Sequence, residues 1–197
     1  MQQLSNQKSW KAWQGLLYYI GAFLILLFPG SFLQVYLGMG GLVLSQILFL
    51  AYAIIVTKCH KTPLKEVFPV QKISFIDVIG VLIFAAGAIL ANLLLAGISM
   101  LVFPNDVAQL DALNEFMFGN GLPKWLIVLI IAGTPAICEE ALMRGAFLSH
   151  FRGLKQDWLI CLIVGIGFGV LHMAPAKLLS TAFLGAALAY LIVKRNN

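Results

Sequence analysis

Residues 125–151 read WLIVLIIAGTPAICEEALMRGAFLSHF, an apolar run that is interrupted by two acidic side chains and one arginine, Glu139, Glu140 and Arg144. The run is long enough to cross a bilayer as an α-helix, which needs about 20 mainly apolar residues. An acidic or basic side chain at the bilayer centre costs about 2.5–3.5 kcal/mol on insertion scales, so such residues indicate a functional site with a specific partner.

The composition predicts a membrane protein. Of the 197 residues, 61% are hydrophobic and 11% are charged, and the mean hydropathy is +0.94. Because lipid cannot satisfy exposed backbone groups, and no segment alternates as barrel strands do, we expect an all-α fold, a polytopic transmembrane helical bundle. The net charge of +5 comes from basic residues between the apolar runs, so the lipid bilayer is the expected partner and nucleic acid is not.

The apolar runs predict about six membrane helices in a single integral membrane domain, 1–197. Pro29 and Gly30 are expected to end the first helix, and Gly38 and its neighbouring glycines allow close helix contact or a later start of the second. Apolar residues at helical spacing within 104–123 predict an amphipathic helix on the membrane surface. The predicted membrane helices are 10–28, a segment within 32–56, 75–103, 125–152, 157–173 and 177–193.

The distribution of lysine and arginine predicts the orientation of the bundle. The amino terminus, the loop 58–72, the turn 152–155 and the carboxy-terminal tail are basic, whereas the alternate loops are nearly free of basic residues. Basic loops stay on the cytoplasmic side. Six crossings with both termini in the cytoplasm satisfy this rule, and the plasma membrane of a bacterium is the natural location.

A further ionisable residue, His172, lies on the next apolar run. At 1.5 Å per residue, the helix rises about 20 Å from Glu139 to Arg152 and about 22 Å from Asp157 to His172. Glu139 and His172 are therefore expected at similar depth on neighbouring antiparallel helices. There Glu139 would act as a general base toward water, and His172 would align that water or protonate a leaving amine.

The remaining charged residues of the run suit a supporting role. Glu140 and Arg144 are spaced i, i+4, which favours an ion pair on one helix face, and Glu139 lies about 100° around the helix axis. Glu139 does not need to share Arg144 as a partner and is therefore available as the general base. Glycines at 165, 167 and 169 would let the backbones of neighbouring helices approach closely.

Each polar residue also has a purely structural interpretation. A Glu–Arg pair can simply join helices, and a histidine near a helix end is often a satisfied core or interfacial residue. Cys138 fits small apolar packing better than a thiol protease, and the cysteines lack the CxxC spacing of a metal site. His60 and His150 are expected to be solvated at cytoplasmic helix ends.

The two charged segments resemble motifs of the CAAX prenyl protease and bacteriocin-processing family (CPBP or Abi family) of intramembrane endopeptidases. Glu139-Glu-Ala-Leu-Met-Arg144 matches its E-E-x-x-x-R motif, and Phe168-Gly-Val-Leu-His172 matches its F-x-x-x-H motif. The similarity covers a core of residues 122–195 and includes a following helix with the sequence FLGAALAY.

The resemblance implies hydrolysis of a peptide bond within the membrane, in a peptide or membrane-protein substrate. It implies that Glu139 and His172 are catalytic and that Glu140, Arg144 and Phe168 support them. The cofactor stays open between none and a divalent metal such as zinc, for which Glu139 and His172 are the candidate ligands. The sequence has no H-E-x-x-H motif to favour zinc.

The sequence departs from the family in one respect. The third family motif, H-x-x-x-N or H-x-x-x-D, is missing, because no histidine follows His172. Either the motif set is incomplete or another group, such as Asn92, substitutes for it. The resemblance therefore implies a protease in bacteriocin self-immunity or peptide processing, and the alternative is a non-catalytic membrane protein for bacteriocin immunity or interaction. A transporter is disfavoured because the two halves show no repeat.

Overall fold

The computed structural model describes residues 10–69, 72, 74–103, 112, 114–116, 118–119 and 121–195. In this part of the chain every regular element is helical, which confirms the all-α fold. The chain divides into two compact units, residues 1–67 with 107–155 and residues 68–106 with 156–197. The single domain stays a prediction, and the expected surface helix within 104–123 falls mostly outside the described residues.

Helices occupy most of both units, and three segments of the first unit are wide π-helical turns. The first unit contains α1 (Ala12–Ile25), π1 (Leu26–Gly30), α2 (Ser31–Cys59), α3 (Leu64–Val67), α5 (Lys124–Val128), π2 (Leu129–Gly133), α6 (Thr134–Glu139) and π3 (Glu140–Phe147). The second unit contains α4 (Phe75–Val102), α7 (Asp157–Leu171) and α8 (Pro175–Arg195).

Four stretches are long and apolar enough to cross a membrane. They are Ala12–Cys59, Phe75–Val102, Lys124–Phe147 and Pro175–Lys194, and Asp157–Leu171 is apolar but shorter. Large hydrophobic side chains such as Leu94 and Leu101 on α4 are exposed, as lipid-facing side chains are. These features identify an integral membrane protein, and the count of six crossings stays a prediction.

The first stretch, Ala12–Cys59, contains a reversal at Gly38, where φ is 55° and ψ is −128°. The Tyr52 hydroxyl donates a hydrogen bond of 3.1 Å to the Tyr18 carbonyl, 34 residues away. A straight α-helix would separate these residues by about 50 Å. Residues 12–59 therefore form an antiparallel pair of helical legs, which we call the amino-terminal hairpin.

The expectation that Pro29 and Gly30 end the first helix is wrong. Pro29 lies within π1, and the chain continues directly into α2. Proline has no N–H group and its ring collides with the carbonyl four residues earlier, so a wider turn accommodates it without ending the helix. A wide turn also precedes Pro135: π2 ends at Gly133, and Pro135 is the second residue of α6.

Glycines bring α7 and α8 of the second unit into close contact, as the sequence predicts. A Cβ atom on Gly165 would lie 2.7 Å from the Ala182 carbonyl oxygen, and one on Gly169 would lie 2.8 Å from the Leu178 carbonyl oxygen. Such distances leave no room for a side chain. At one end of this helix pair, Asp157 and Lys194 form an ion pair of 3.0 Å.

Candidate active site

Glu139 is the last residue of α6 and directly precedes π3. Its side chain is half-buried, and its Oε1 accepts a hydrogen bond of 2.8 Å from Gln46 Nε2 on α2. An ionised carboxylate can only accept hydrogen bonds, so the amide nitrogen of Gln46 is the atom that must face it. The hairpin thus holds the carboxylate that the sequence predicts to be the base.

Gln46 is not among the predicted site residues, although the sequence contains a signal for it. Gln46 and Ser45 are the polar residues of an apolar run that extends from Gly40 to Val56. A buried amide in a membrane helix needs a hydrogen-bond partner as much as a charged group does. What the run could not show is that the partner lies 93 residues further along the chain.

Glu140 and Arg144 form the expected i, i+4 ion pair, with 3.0 Å between Oε1 and Nη1. The Arg144 side chain is 1% exposed and the Glu140 side chain is 40% exposed. A buried guanidinium is tolerated because a carboxylate compensates its charge. The pair therefore lies within π3 and stabilises this segment internally, whereas Glu139 makes a separate hydrogen bond to Gln46 on α2.

From Glu140 to Arg144 the E-E-x-x-x-R motif lies in the π-helical segment π3, which the sequence did not predict. π-Helical turns are rare in proteins, and many of those that are found lie at functional sites. Tyr18 of α1 supports this segment, because its hydroxyl donates a hydrogen bond of 3.1 Å to the Leu142 carbonyl. Leu142 and Tyr18 are both buried. The motif is thus packed against both legs of the amino-terminal hairpin.

The expectation that His150 is solvated is wrong, since its ring is 2% exposed. Its centroid lies 4.5 Å from the Trp10 ring and 5.5 Å from the His60 ring. Burial lowers the pKa of His150 to about 4; a hydrogen bond to the Ala146 carbonyl opposes this shift, and the nearby His60 adds to it. Burial also lowers the pKa of His60. Burial therefore favours the neutral form of both imidazoles.

Phe168 and His172 of the second motif lie at the carboxy-terminal end of α7. His172 follows the last residue of the helix and is exposed, and its Nδ1 donates a hydrogen bond of 2.8 Å to the Phe168 carbonyl. The Nε2 of a neutral ring in this tautomer carries no hydrogen and can accept a proton. The Phe168 ring contacts the imidazole edge-on at 4.7 Å and fixes its orientation.

The structure brings the predicted site residues together in two groups. Glu139, Glu140 and Arg144 lie in the first unit, and Phe168 and His172 lie in the second. Each group has the local contacts described above. The convergence of Glu139 and His172 on one site stays a prediction.

Among the described residues, no cluster of three or more His, Cys, Asp or Glu side chains could hold a metal ion. Zinc sites in proteins use three or four such donors. A protein-only donor set for zinc is therefore not found in this part of the chain.

Comparison with known proteins supports the resemblance of the carboxy-terminal part. Residues 121–197 match the model of a family described as type II CAAX prenyl endopeptidase Rce1-like. No curated protein and no solved structure matches the chain. The match includes both motif segments and excludes α2, so it assigns no role to Gln46.

Proposed function

We propose that this chain is an intramembrane endopeptidase, because residues 121–197 match the model of the type II CAAX prenyl endopeptidase Rce1-like family. The observation that carries the proposal is the half-buried Glu139 carboxylate, held by Gln46 within a stretch apolar enough to cross a membrane. An ionisable group in such a stretch is expensive and is by default functional.

In the proposed reaction, Glu139 acts as the general base toward a water molecule. The carboxylate takes one proton from the water, and the resulting hydroxide bonds to the carbonyl carbon of the peptide. The C–N bond of the tetrahedral intermediate then breaks. The leaving amine takes the proton back from Glu139, directly or through Nε2 of His172. One water is consumed, and one carboxyl group and one amine are formed.

The other motif residues would support this chemistry without exchanging protons. Arg144 and Glu140 stabilise π3 next to the base, and Phe168 orients His172 through its carbonyl and its ring. The expected substrate is a peptide or membrane protein that reaches the site from the bilayer. The distribution of basic residues supports an orientation with both termini in the cytoplasm, and the proposed location is a bacterial plasma membrane.

The proposal is tested with the full-length protein purified and reconstituted in liposomes. The probes are a farnesylated peptide ending in a CAAX sequence and the same peptide without the lipid, incubated in water enriched in ¹⁸O. Hydrolysis by the wild type would release a fragment whose new carboxyl group contains one ¹⁸O, detected by mass spectrometry. Replacing Glu139 with glutamine is expected to lower kcat about 10²–10⁴-fold, the usual contribution of a general base.

The matched control is Glu66→Gln, the same acid-to-amide change at an exposed position of α3. It should cleave the probe at the wild-type rate. The proposal would be overturned if the wild type left both probes intact, or if Glu139→Gln cleaved them as fast as the wild type. Equal protein recovery from membranes for all variants shows that a loss of cleavage is a loss of chemistry.

A non-catalytic role in bacteriocin immunity is the alternative, because the third family motif is missing from these 197 residues. The two functions differ in their dependence on Glu139. If cells that express Glu139→Gln survive a bacteriocin as well as cells that express the wild type do, protection is independent of hydrolysis. If only the wild type protects, the endopeptidase explains the protection.

A further inference from the structure

Gln46 occupies a position where an apolar residue would be expected. It lies on the second leg of the amino-terminal hairpin, and its side chain is 5% exposed. Phe49 and Ala53, at the helical spacings i+3 and i+7, are also buried on this helix. An amide at such a position is stabilised only by the hydrogen bonds that it makes.

Only the nitrogen of the Gln46 amide makes a hydrogen bond in the described part of the chain. Nε2 donates to Glu139, whereas Oε1 is buried and has no hydrogen-bond partner among the described residues. A buried carbonyl without a partner lowers stability, because its water is lost and not replaced. Packing alone would therefore favour an apolar side chain at position 46. The hydrogen bond to Glu139 accounts for the presence of an amide there.

We propose that Gln46 is a positioning residue for Glu139, supplied by the hairpin and not by the family-like segment. The hydrogen bond from Nε2 fixes one carboxylate oxygen and leaves the other free to face the water. This inference rests on the proposed function, because it concerns the base of that reaction. It goes beyond that function because Gln46 lies outside residues 121–197, which match the family.

A fixed carboxylate accelerates the chemical step and leaves substrate binding unchanged. A base that rotates freely spends little time in the geometry for proton transfer, so the loss of its anchor lowers kcat and leaves KM near the wild-type value. A hydrogen bond to a charged group corresponds to a rate factor of about 10–100. A structural defect would instead lower the amount of folded protein and its thermal stability.

The decisive variant is Gln46→Leu, which keeps the approximate side-chain size and removes both polar atoms. We expect kcat on the farnesylated probe to fall about 10–100-fold, with KM within twofold of the wild type and the unfolding temperature unchanged. The matched control is Gln34→Leu on the first leg of the hairpin, since Gln34 donates to Ser45 Oγ at 3.2 Å and not to a carboxylate. Its kcat should equal that of the wild type.

A double-mutant cycle separates positioning from a general effect on the enzyme. Glu139→Asp shortens the acid by one methylene and moves its oxygens out of reach of Gln46. In that background Gln46→Leu is expected to lower kcat by less than twofold. If the two effects instead multiply, Gln46 acts independently of Glu139 and the inference is overturned.

The outcomes distinguish this inference from the proposed function. An active wild type together with a fully active Gln46→Leu variant would overturn the positioning role alone. An inactive wild type would overturn the endopeptidase, and the role of Gln46 with it. A loss of kcat that comes with a lower unfolding temperature would assign Gln46 to structural support and would also reject the positioning role.

Discussion

The Tyr18 hydroxyl donates its hydrogen to the backbone carbonyl of Leu142, at 3.1 Å, and so joins two helical segments that are 124 residues apart in the chain. The accepting carbonyl lies three residues beyond Glu139, inside π3. A helix that is widened at a motif needs such lateral support, because its own hydrogen-bond pattern is less favourable than that of an α-helix.

Tyr18→Phe is expected to lower the free energy of unfolding by about 1 kcal/mol, because it removes one buried hydrogen bond and keeps the ring. Thermal unfolding of the purified protein in detergent measures the effect. Tyr36→Phe is the matched control, since the Tyr36 side chain is 71% exposed. Equal unfolding temperatures for the two variants would contradict a supporting role for Tyr18.

The ion pair of Glu140 and Arg144 is expected to show strong coupling. Removal of Glu140 should cost about 3–5 kcal/mol, because it leaves the buried Arg144 guanidinium without its counter-charge. Removal of Arg144 should cost less, because the Glu140 side chain is 40% exposed and can be solvated. The double variant Glu140→Leu with Arg144→Leu leaves neither charge, so it should unfold at a higher temperature than either single variant. Lys194→Met, in the exposed pair of equal length with Asp157, should leave the unfolding temperature nearly unchanged, because solvent screens this pair.

The buried His150 predicts a pH-dependent stability. The unfolded chain takes up the proton near pH 6.5, whereas the folded protein does so only near pH 4. Stability from this group is therefore complete above pH 6.5 and is lost as the pH falls toward 4, by at most about 1.4 kcal/mol per pH unit. Unfolding temperatures at pH 7 and pH 5 should differ less for His150→Phe than for the wild type.

The glycine contacts between α7 and α8 predict opposite effects for one substitution at two positions. In Gly165→Ala the new methyl group would lie 2.7 Å from the Ala182 carbonyl oxygen, so overpacking should cost about 1–3 kcal/mol. Gly87→Ala on α4 meets no atom within 4 Å and should raise helix stability by about 0.5–1 kcal/mol. Similar unfolding temperatures for both variants would contradict the close packing.

The reversal at Gly38 predicts a second such contrast. With φ at +55°, an alanine at this position is strained by about 1–3 kcal/mol, although space is available for its methyl group. Gly40→Ala also meets no atom within 4 Å, and Gly40 does not have a positive φ. Chemical or thermal unfolding should therefore show a loss for Gly38→Ala and none for Gly40→Ala.

Features that depend on local spacing or on composition could be predicted from the sequence. Apolar runs of sufficient length predicted an all-helical membrane protein, and the i, i+4 spacing predicted the ion pair of Glu140 and Arg144. The close approach of α7 and α8 followed from glycines that leave space for a neighbouring backbone. Each of these signals is contained within about one helix.

Features that depend on distant residues could not be predicted. Nothing near Gln46 shows that Glu139 is its partner, and nothing near His150 shows that Trp10 and His60 cover it. The first helix was expected to end at Pro29 and Gly30, because proline is a strong local signal for a helix end. A π turn that accommodates a proline has no recognisable sequence pattern of its own. In each case tertiary packing overrides the local preference.

The amino-terminal hairpin has a consequence for the order in which the protein is assembled. Between Lys11 and Lys58 the chain contains no Lys, Arg, Asp or Glu, so both legs can enter the bilayer as one uncharged piece during synthesis. Gln46 is then already in the membrane when Glu139, 93 residues later, leaves the ribosome. The early hairpin would act as a template on which the acidic helix is inserted, and it would offer the entering carboxylate a hydrogen-bond donor in the lipid.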